Sequence, residues 1–193
     1  MTPTTDGQFR VLDVRGETAR LADCETHEPV DVTLDGDAVR PGYRVDAALA
    51  WEDGTARFET LDVVERTLLG YADGVTNLFE VALDVWEEAK REGLGVNART
   101  TYDTDSEPNG AVYTFAEQPG ERDVFADLRA GALPLEPLVD RLQEHADPPH
   151  EVFVLRPATH DFVLVYLVAS KESVLANTVR DTYDLPRPSE PEP

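Results

Sequence analysis

From Gln8 to about Thr67, apolar and polar positions alternate in short runs separated by turn residues: QFRVLDVRG, TARLADCE, PVDVTL, YRVDAALAW and TARFETLDVVER. Period-two alternation places successive side chains on opposite faces of a strand. Five strands without an intervening helix predict a small five-stranded antiparallel β-barrel, OB- or SH3-like, over residues 8–67. The last two runs also predict a register. Asp53 and Gly54 form a two-residue hairpin turn, so Trp51 faces Ala56 and Leu49 faces Phe58 across the ladder. The inward phase then slips from Ala56 and Phe58 to Leu61 and Val63, which requires a bulge near Thr60.

Beyond LLGYADG the period changes to about 3.6. Val75, Leu78, Phe79, Ala82, Val85, Trp86 and Ala89 form one helical stripe, with Asp73 as its cap and Gly93 past its end. Two strands (VNARTTYD and AVYTFAE), helical stretches near 121–130 and 135–145, strands at 151–156 and 161–169, and a helix over 171–183 capped by Ser170 complete the pattern. FVLVYLVA is apolar on both phases and predicts a central strand covered on both faces. Residues 72–184 therefore predict an α+β domain with a mainly antiparallel four-stranded sheet packed by helices. Residues 1–7 and the proline-rich 185–193 are expected to be disordered.

Composition adds an environment. The 193 residues hold 39 acidic and 17 basic side chains, a net charge of -22, and the basic set is arginine except for Lys90 and Lys171. Acids spread through every segment with almost no lysine match the proteome-wide pattern of extreme halophiles. At about 1 M salt the Debye length is roughly 3 Å, so such carboxylates barely repel one another. The acidity therefore indicates a habitat and not a cationic partner. Cys24 is the single cysteine, which excludes an internal disulfide and favours a reducing compartment. The first residues, MTPTTDGQFR, carry no signal-peptide pattern and no apolar run is long enough to span a bilayer, so a cytoplasmic protein without a membrane partner is expected.

Taken with these features, RPGYRVDAALAWEDGTARFETLDVVERT leading into LLGYADGVTNLFEVALDVWEEAKREGLGVN is similar to a haloarchaeal protein family of about 190–200 residues defined as a domain of unknown function. The likeness covers nearly all of the chain. It implies a source and an extent, and no activity or site residues. The first 67 residues also resemble the small oligonucleotide-binding barrels, through RPGYRVDAAL followed by a hairpin.

Few residues suggest chemistry. DTDSEPNG sets Asp103, Asp105, Glu107 and Asn109 at alternate positions before Gly110, an outline of a calcium loop. It joins two strands rather than two helices and lacks the distant closing Glu, so a solvated hairpin loop is expected. Cys24, His27, His145 and His150 could be assembled into a zinc set, but the two pairs fall in different predicted domains. Neither a metal nor a cofactor is expected. Arg156, His160 and Asp161 lie at the ends of the last two strands, where binding residues often collect, and form the candidate binding cluster. No serine sits in a nucleophile elbow and no lysine follows a glycine-rich loop.

For nucleic acid, the first 67 residues hold seven arginines but also 15 acids, so there is no basic stripe, and the aromatics left for an outer face are Phe9 and Tyr43. We expect a non-catalytic binding or protein-interaction module, with an unknown protein partner. The alternatives are an accessory protein that binds RNA or single-stranded DNA through the barrel, and a small-molecule enzyme with a site between the domains.

Overall fold

Each alternating run of the N-terminal segment is a strand in the computed structural model, which describes residues 1–118 and 120–191. β1 (Thr4–Arg15), β2 (Thr18–Asp23), β3 (Pro29–Thr33), β4 (Arg44–Glu52) and β5 (Thr55–Glu65) pair in the order β1-β2-β3-β5-β4. β4 pairs back onto β1, which closes the barrel. The hairpin register is the expected one: Trp51 lies opposite Ala56 and Leu49 opposite Phe58, and the ladder shifts between Ala48 and Leu49, opposite Thr60 and Phe58.

Three expectations for this segment need correction. The barrel is not wholly antiparallel, because β3 runs parallel to β5 through Val32–Ala56 and Thr33–Arg57. The 34–43 connection carries the chain across to start β4 beside β1, so β5 returns along β3 in the same direction. Residues 4–7 are ordered as part of β1, since they continue the ladder onto β4 and Trp51 donates from Nε1 to the Thr5 hydroxyl at 3.0 Å. Phe9 and Tyr43 are inside, at 2% and 0% exposure. Phe9 shares the inward phase with Val11, and the Tyr43 ring fills the barrel interior while its hydroxyl accepts from Arg66 at 3.1 Å.

The remaining strands form a second five-stranded sheet in the order β6-β9-β10-β8-β7. These are β6 (Leu68–Val75), β7 (Val96–Tyr102), β8 (Pro108–Ala116), β9 (Glu151–Pro157) and β10 (Phe162–Val168). The sheet has one strand more than expected and is mixed, for β6 runs parallel to β9. LLGYADGV reads as a connection because its glycines interrupt the apolar pattern, yet Leu68 and Leu69 are buried where β6 meets the barrel. β10 is central and every residue of it is buried. One face carries α1 (Glu80–Glu92) and α4 (Val174–Tyr183), and the other carries α2 (Val124–Ala130), α3 (Glu136–Gln143) and the barrel.

The barrel seats on this sheet through a close backbone approach. Leu69 donates to the Pro41 carbonyl at 2.9 Å, and a Cβ on Gly42 would stand 2.5 Å from the Leu68 and Leu69 backbone. Gly42 also has φ +101°, so both space and conformation require glycine. Leu12 and Ala22 of the barrel join the same apolar cluster as Phe125, Leu128 and Val163.

Two helix starts differ from expectation. α1 begins at Glu80 behind Phe79, because Asp73 and Val75 belong to β6. α4 is capped by Ser173, whose side chain accepts from the Ala176 N–H, and not by Ser170. Replacing Ser173 with Ala is expected to cost about 1 kcal/mol and lower the melting temperature by ~2–4 °C, read by thermal denaturation, while Ser170→Ala leaves it unchanged. The 185–191 stretch is not loose: Arg187 donates to Glu151 at 2.8 and 3.0 Å, and Lys171 pairs with Glu190 at 3.0 Å. Glu192 and Pro193, the rest of the segment expected to be disordered, lie outside the described residues.

Candidate functional site

A cleft of about 450 Å³ opens where the β1–β2 end of the barrel meets α2. The chain builds it with an irregularity in β1. Val11 faces the barrel interior and Leu12 packs against α2 by ordinary alternation, and the β1–β2 register then shifts between Val11 and Asp13, which sets Asp13 opposite the outward Arg20 instead of inward in phase with Phe9 and Val11. Asp13 then reaches the cleft. α2 ends at Gly131, with φ +82°, where a Cβ would stand 2.9 Å from Leu12 and 3.2 Å from Pro29. That close approach brings the last turn of α2 onto the barrel.

Arg15, Arg20 and Arg129 line the cleft against Asp13 and Asp31, with Phe125, Ala126 and Ala130 as an apolar wall. Arg129 donates to Asp13 at 3.0 Å and lies over the Tyr71 ring at 4.6 Å. Arg20 donates to the Ala130 carbonyl at 2.8 Å and pairs with Asp31 at 3.1 Å. Arg15 reaches Asp13 at 2.8 Å but is 75% exposed, so it can turn to a ligand. The Tyr71 hydroxyl donates to the Leu12 carbonyl at 2.8 Å; burial, then Asp13, pushes its pKa far above the usual phenol range. Arg20 and Arg129 are thus held as planar donors at the mouth of an apolar-walled cleft, a form suited to phosphate or carboxylate.

Arg156, His160 and Asp161 make no hydrogen bond or ion pair with one another among the described residues, although Glu117 touches both Arg156 and Asp161. Arg156 donates to Asp73 at 2.8 and 2.9 Å and to Asp123 at 2.9 Å, with Glu117 at 3.7 Å. Its hydrogen bond holds the Asp73 carboxyl below the ordinary range, while burial raises Glu117 despite Arg156. Asp123 also caps α2 by accepting from Ala126. The Arg156 guanidinium lies 4.9 Å over the Phe125 ring, and Phe125 meets Tyr71 edge-on at 6.1 Å. Arg156 therefore backs the cleft from behind Phe125. His160 sits edge-on to Phe162 at 6.0 Å, and Asp161 contributes its carbonyl to the Glu117 N–H at 2.9 Å.

In the 103–109 loop, the Asp103 carboxylate accepts from the Asp105 and Glu107 N–H groups at 2.9 and 3.0 Å, which makes it a turn-closing side chain. His150 is fully buried and His145 lines a separate groove, and among the described residues no three His, Cys, Asp or Glu side chains are grouped to hold a metal. That groove, of about 840 Å³, runs between α3 and the β7–β8 face of the sheet. No helix among the described residues is long and apolar enough to cross a membrane.

Fold and site together define a closed five-stranded barrel joined to a helix-flanked mixed sheet, with an arginine-lined cleft at the join. The chain belongs to the family described as Family of unknown function (DUF6663), whose model matches residues 1–188. No curated protein and no solved structure matches it.

Proposed function

We propose that the protein is a non-catalytic binding module that holds an anionic ligand in the cleft between the barrel and α2, in a salt-rich cytoplasm. One observation carries this reading: in a chain of net charge -22, three guanidiniums face two carboxylates around one cleft with an apolar wall. The arginine forks supply the recognition of phosphate or carboxylate oxygens, and Phe125, Ala126 and Ala130 favour a ligand with an apolar body beside its charge. An arriving anion competes with Asp13 and Asp31 for the same donors, so binding exchanges one ion pair for another.

Sodium pyrophosphate and sodium citrate, each against sodium chloride at equal ionic strength, test the reading by thermal shift. A ligand at 100 times its Kd adds about 2.7 kcal/mol, which is ~5–11 °C for a chain of this size. Multivalent anions also stabilise proteins by exclusion from the surface, and that part is independent of the cleft. Arg20→Gln with Arg129→Gln is therefore expected to remove the excess shift and leave the background. Equal shifts in wild type and variant would overturn the proposal.

The strand order β1-β2-β3-β5-β4, with its parallel β3–β5 pair, favours a second reading, because it is the order of oligonucleotide-binding barrels. Burial of Phe9 and Tyr43 weighs against it, since stacking on single-stranded bases needs exposed rings. Anisotropy of a labelled oligouridylate decides: saturable binding at low salt that survives the two cleft substitutions would place the ligand on the barrel instead.

A further inference from the structure

β7 ends the second sheet and has β8 as its only strand neighbour among the described residues. The Gly95 carbonyl accepts from the Ala116 N–H at 2.8 Å, which fixes the parity of the strand. Odd positions of β7 bond to β8, and the backbone groups of Val96, Ala98, Thr100 and Tyr102 turn to the open edge. Edge strands in natural proteins are guarded by charge, proline or a cover. VNARTTY has no Asp, Glu, Lys or Pro, although a fifth of the chain is acidic, and its one charged side chain, Arg99, is paired with Glu88 of α1. Three of the six large apolar side chains exposed among the described residues are here: Leu94 at 40%, Val96 at 53% and Tyr102 at 61%.

We propose that β7 pairs antiparallel with β7 of a second copy about a two-fold axis through Arg99, joining two five-stranded sheets into one of ten strands. The register follows from the side chains. With Arg99 on the axis, the outward-bonding positions face one another: Ala98 lies across from Thr100 of the second copy, and Val96 across from its Tyr102. Val96 and Tyr102 share the sheet face that carries the groove, so the two exposed apolar side chains of the strand cover each other twice. A β-branched residue opposite an aromatic is a favourable cross-strand pair. Centring the ladder on Thr100 instead would set Val96 against the polar Thr104 in the turn. Centring it on Ala98 would set Tyr102 against Leu94, which precedes the strand.

Charge sets the conditions. Each copy carries -22, and Arg99 meets Arg99 on the axis, although each guanidinium stands 3.2 Å from the Glu88 carboxylate of its own chain. Screening to about 3 Å at ~1 M salt removes most of the repulsion. Dimerisation therefore strengthens as salt rises, the reverse of an interface held by ion pairs.

Sedimentation equilibrium of the full chain between ~1 and ~100 µM tests the proposal at ~0.1 M and ~2 M sodium chloride, conditions chosen by mass action and screening. A reversible dimer is expected, with its fraction larger at high salt. Val96→Glu with Tyr102→Glu alters two exposed side chains, so the melting curve stays within a few degrees while the dimer weakens at least tenfold. In oxidising conditions Ala98→Cys with Thr100→Cys gives a covalent dimer, and Val96→Cys with Thr100→Cys does not. A monomer at every salt concentration would overturn the proposal and leave the edge to an extended segment of another protein. A dimer indifferent to the glutamate substitutions, or cross-linked through the second cysteine pair only, would overturn it as well.

Discussion

Replacing Arg10 with methionine is expected to lower stability by about 3–5 kcal/mol, or ~6–20 °C in melting temperature. Arg10 projects from the outer face of β1 into the join between barrel and sheet, where it is 2% exposed. It donates to both oxygens of Glu136 at 2.9 Å, to Glu65 at 2.9 Å and to the Gly42 carbonyl at 2.9 Å. Glu65 and Glu136 are themselves 1% and 4% exposed. Methionine fills much of the volume but takes from two buried carboxylates their shared cation, leaving Glu136 without one and Glu65 with Arg44, and that under-compensated charge is the cost. A second change, Glu136→Met, removes one of them. Glu65 keeps the Thr67 hydroxyl at 2.5 Å, Gln143 at 3.2 Å and Arg44 at 3.4 Å, so the double variant is expected to recover half the loss or more.

The same cluster governs cooperativity, because it ties β1 and β5 of the barrel to α3 of the second unit. Trp51 lies in β4 and Trp86 in α1, so single-tryptophan variants report on the two units separately in one urea titration. Their transitions are expected to coincide with Arg10 present and to separate in Arg10→Met. A loss below ~1 kcal/mol with coincident transitions would mean that water reaches the carboxylates and that the apolar contacts of Leu12 and Leu68 hold the join unaided.

Much of the barrel was legible because its information is local. The Asp53–Gly54 turn sets the β4–β5 register by itself, and the slip of inward phase from Phe58 to Leu61 marks the ladder shift. The seven residues of β10 are apolar at every position because both faces are covered. β6 was not legible. Gly70 and Gly74 break its pattern, and its partner β9 lies some eighty residues on, with parallel pairing that no turn announces. Arg10 shows the same limit at the level of one side chain. Alternation between Phe9 and Val11 places it on the outer face, where a charged residue normally meets water. Its partners are 55 and 126 positions away. The cleft is divided in the same manner: Arg15 and Arg20 are neighbours of Asp13, but Arg129 arrives from 116 residues away. Arg156 drew attention as a strand-end residue, and the acids that occupy it, Asp73 and Asp123, are 83 and 33 positions distant.

Acidification is expected to destabilise the protein in two stages. His150 is fully buried, with Nδ1 2.6 Å from the Ala169 carbonyl and Nε2 without a partner among the described residues. Burial lowers its pKa from 6.5, more than the Ala169 carbonyl and Glu65 raise it. The unfolded chain therefore binds a proton below pH 6.5 that the folded chain refuses, and stability falls with pH from there to the folded value. Glu65 and Glu151 act lower. Burial alone would raise both carboxyls. Arg10 and the Thr67 hydroxyl outweigh it at Glu65, and Arg187, the Glu172 N–H and Arg180 outweigh it at Glu151, so both end below 4.5. Their contribution is complete above the unfolded value and disappears as pH falls through the folded one. Glu117 and Asp140 oppose this second stage, because burial raises them and the folded chain takes up their protons first. Urea melts from pH 8 to pH 4 at fixed molar salt should show a decline beginning near pH 6.5 and steepening below 4.5. In His150→Asn, whose amide can still donate to Ala169, the upper stage vanishes and the lower one stays. Equal stability of the wild type at pH 8 and pH 5 would show instead that His150 takes its proton inside the fold, with its unpartnered Nε2 in contact with water.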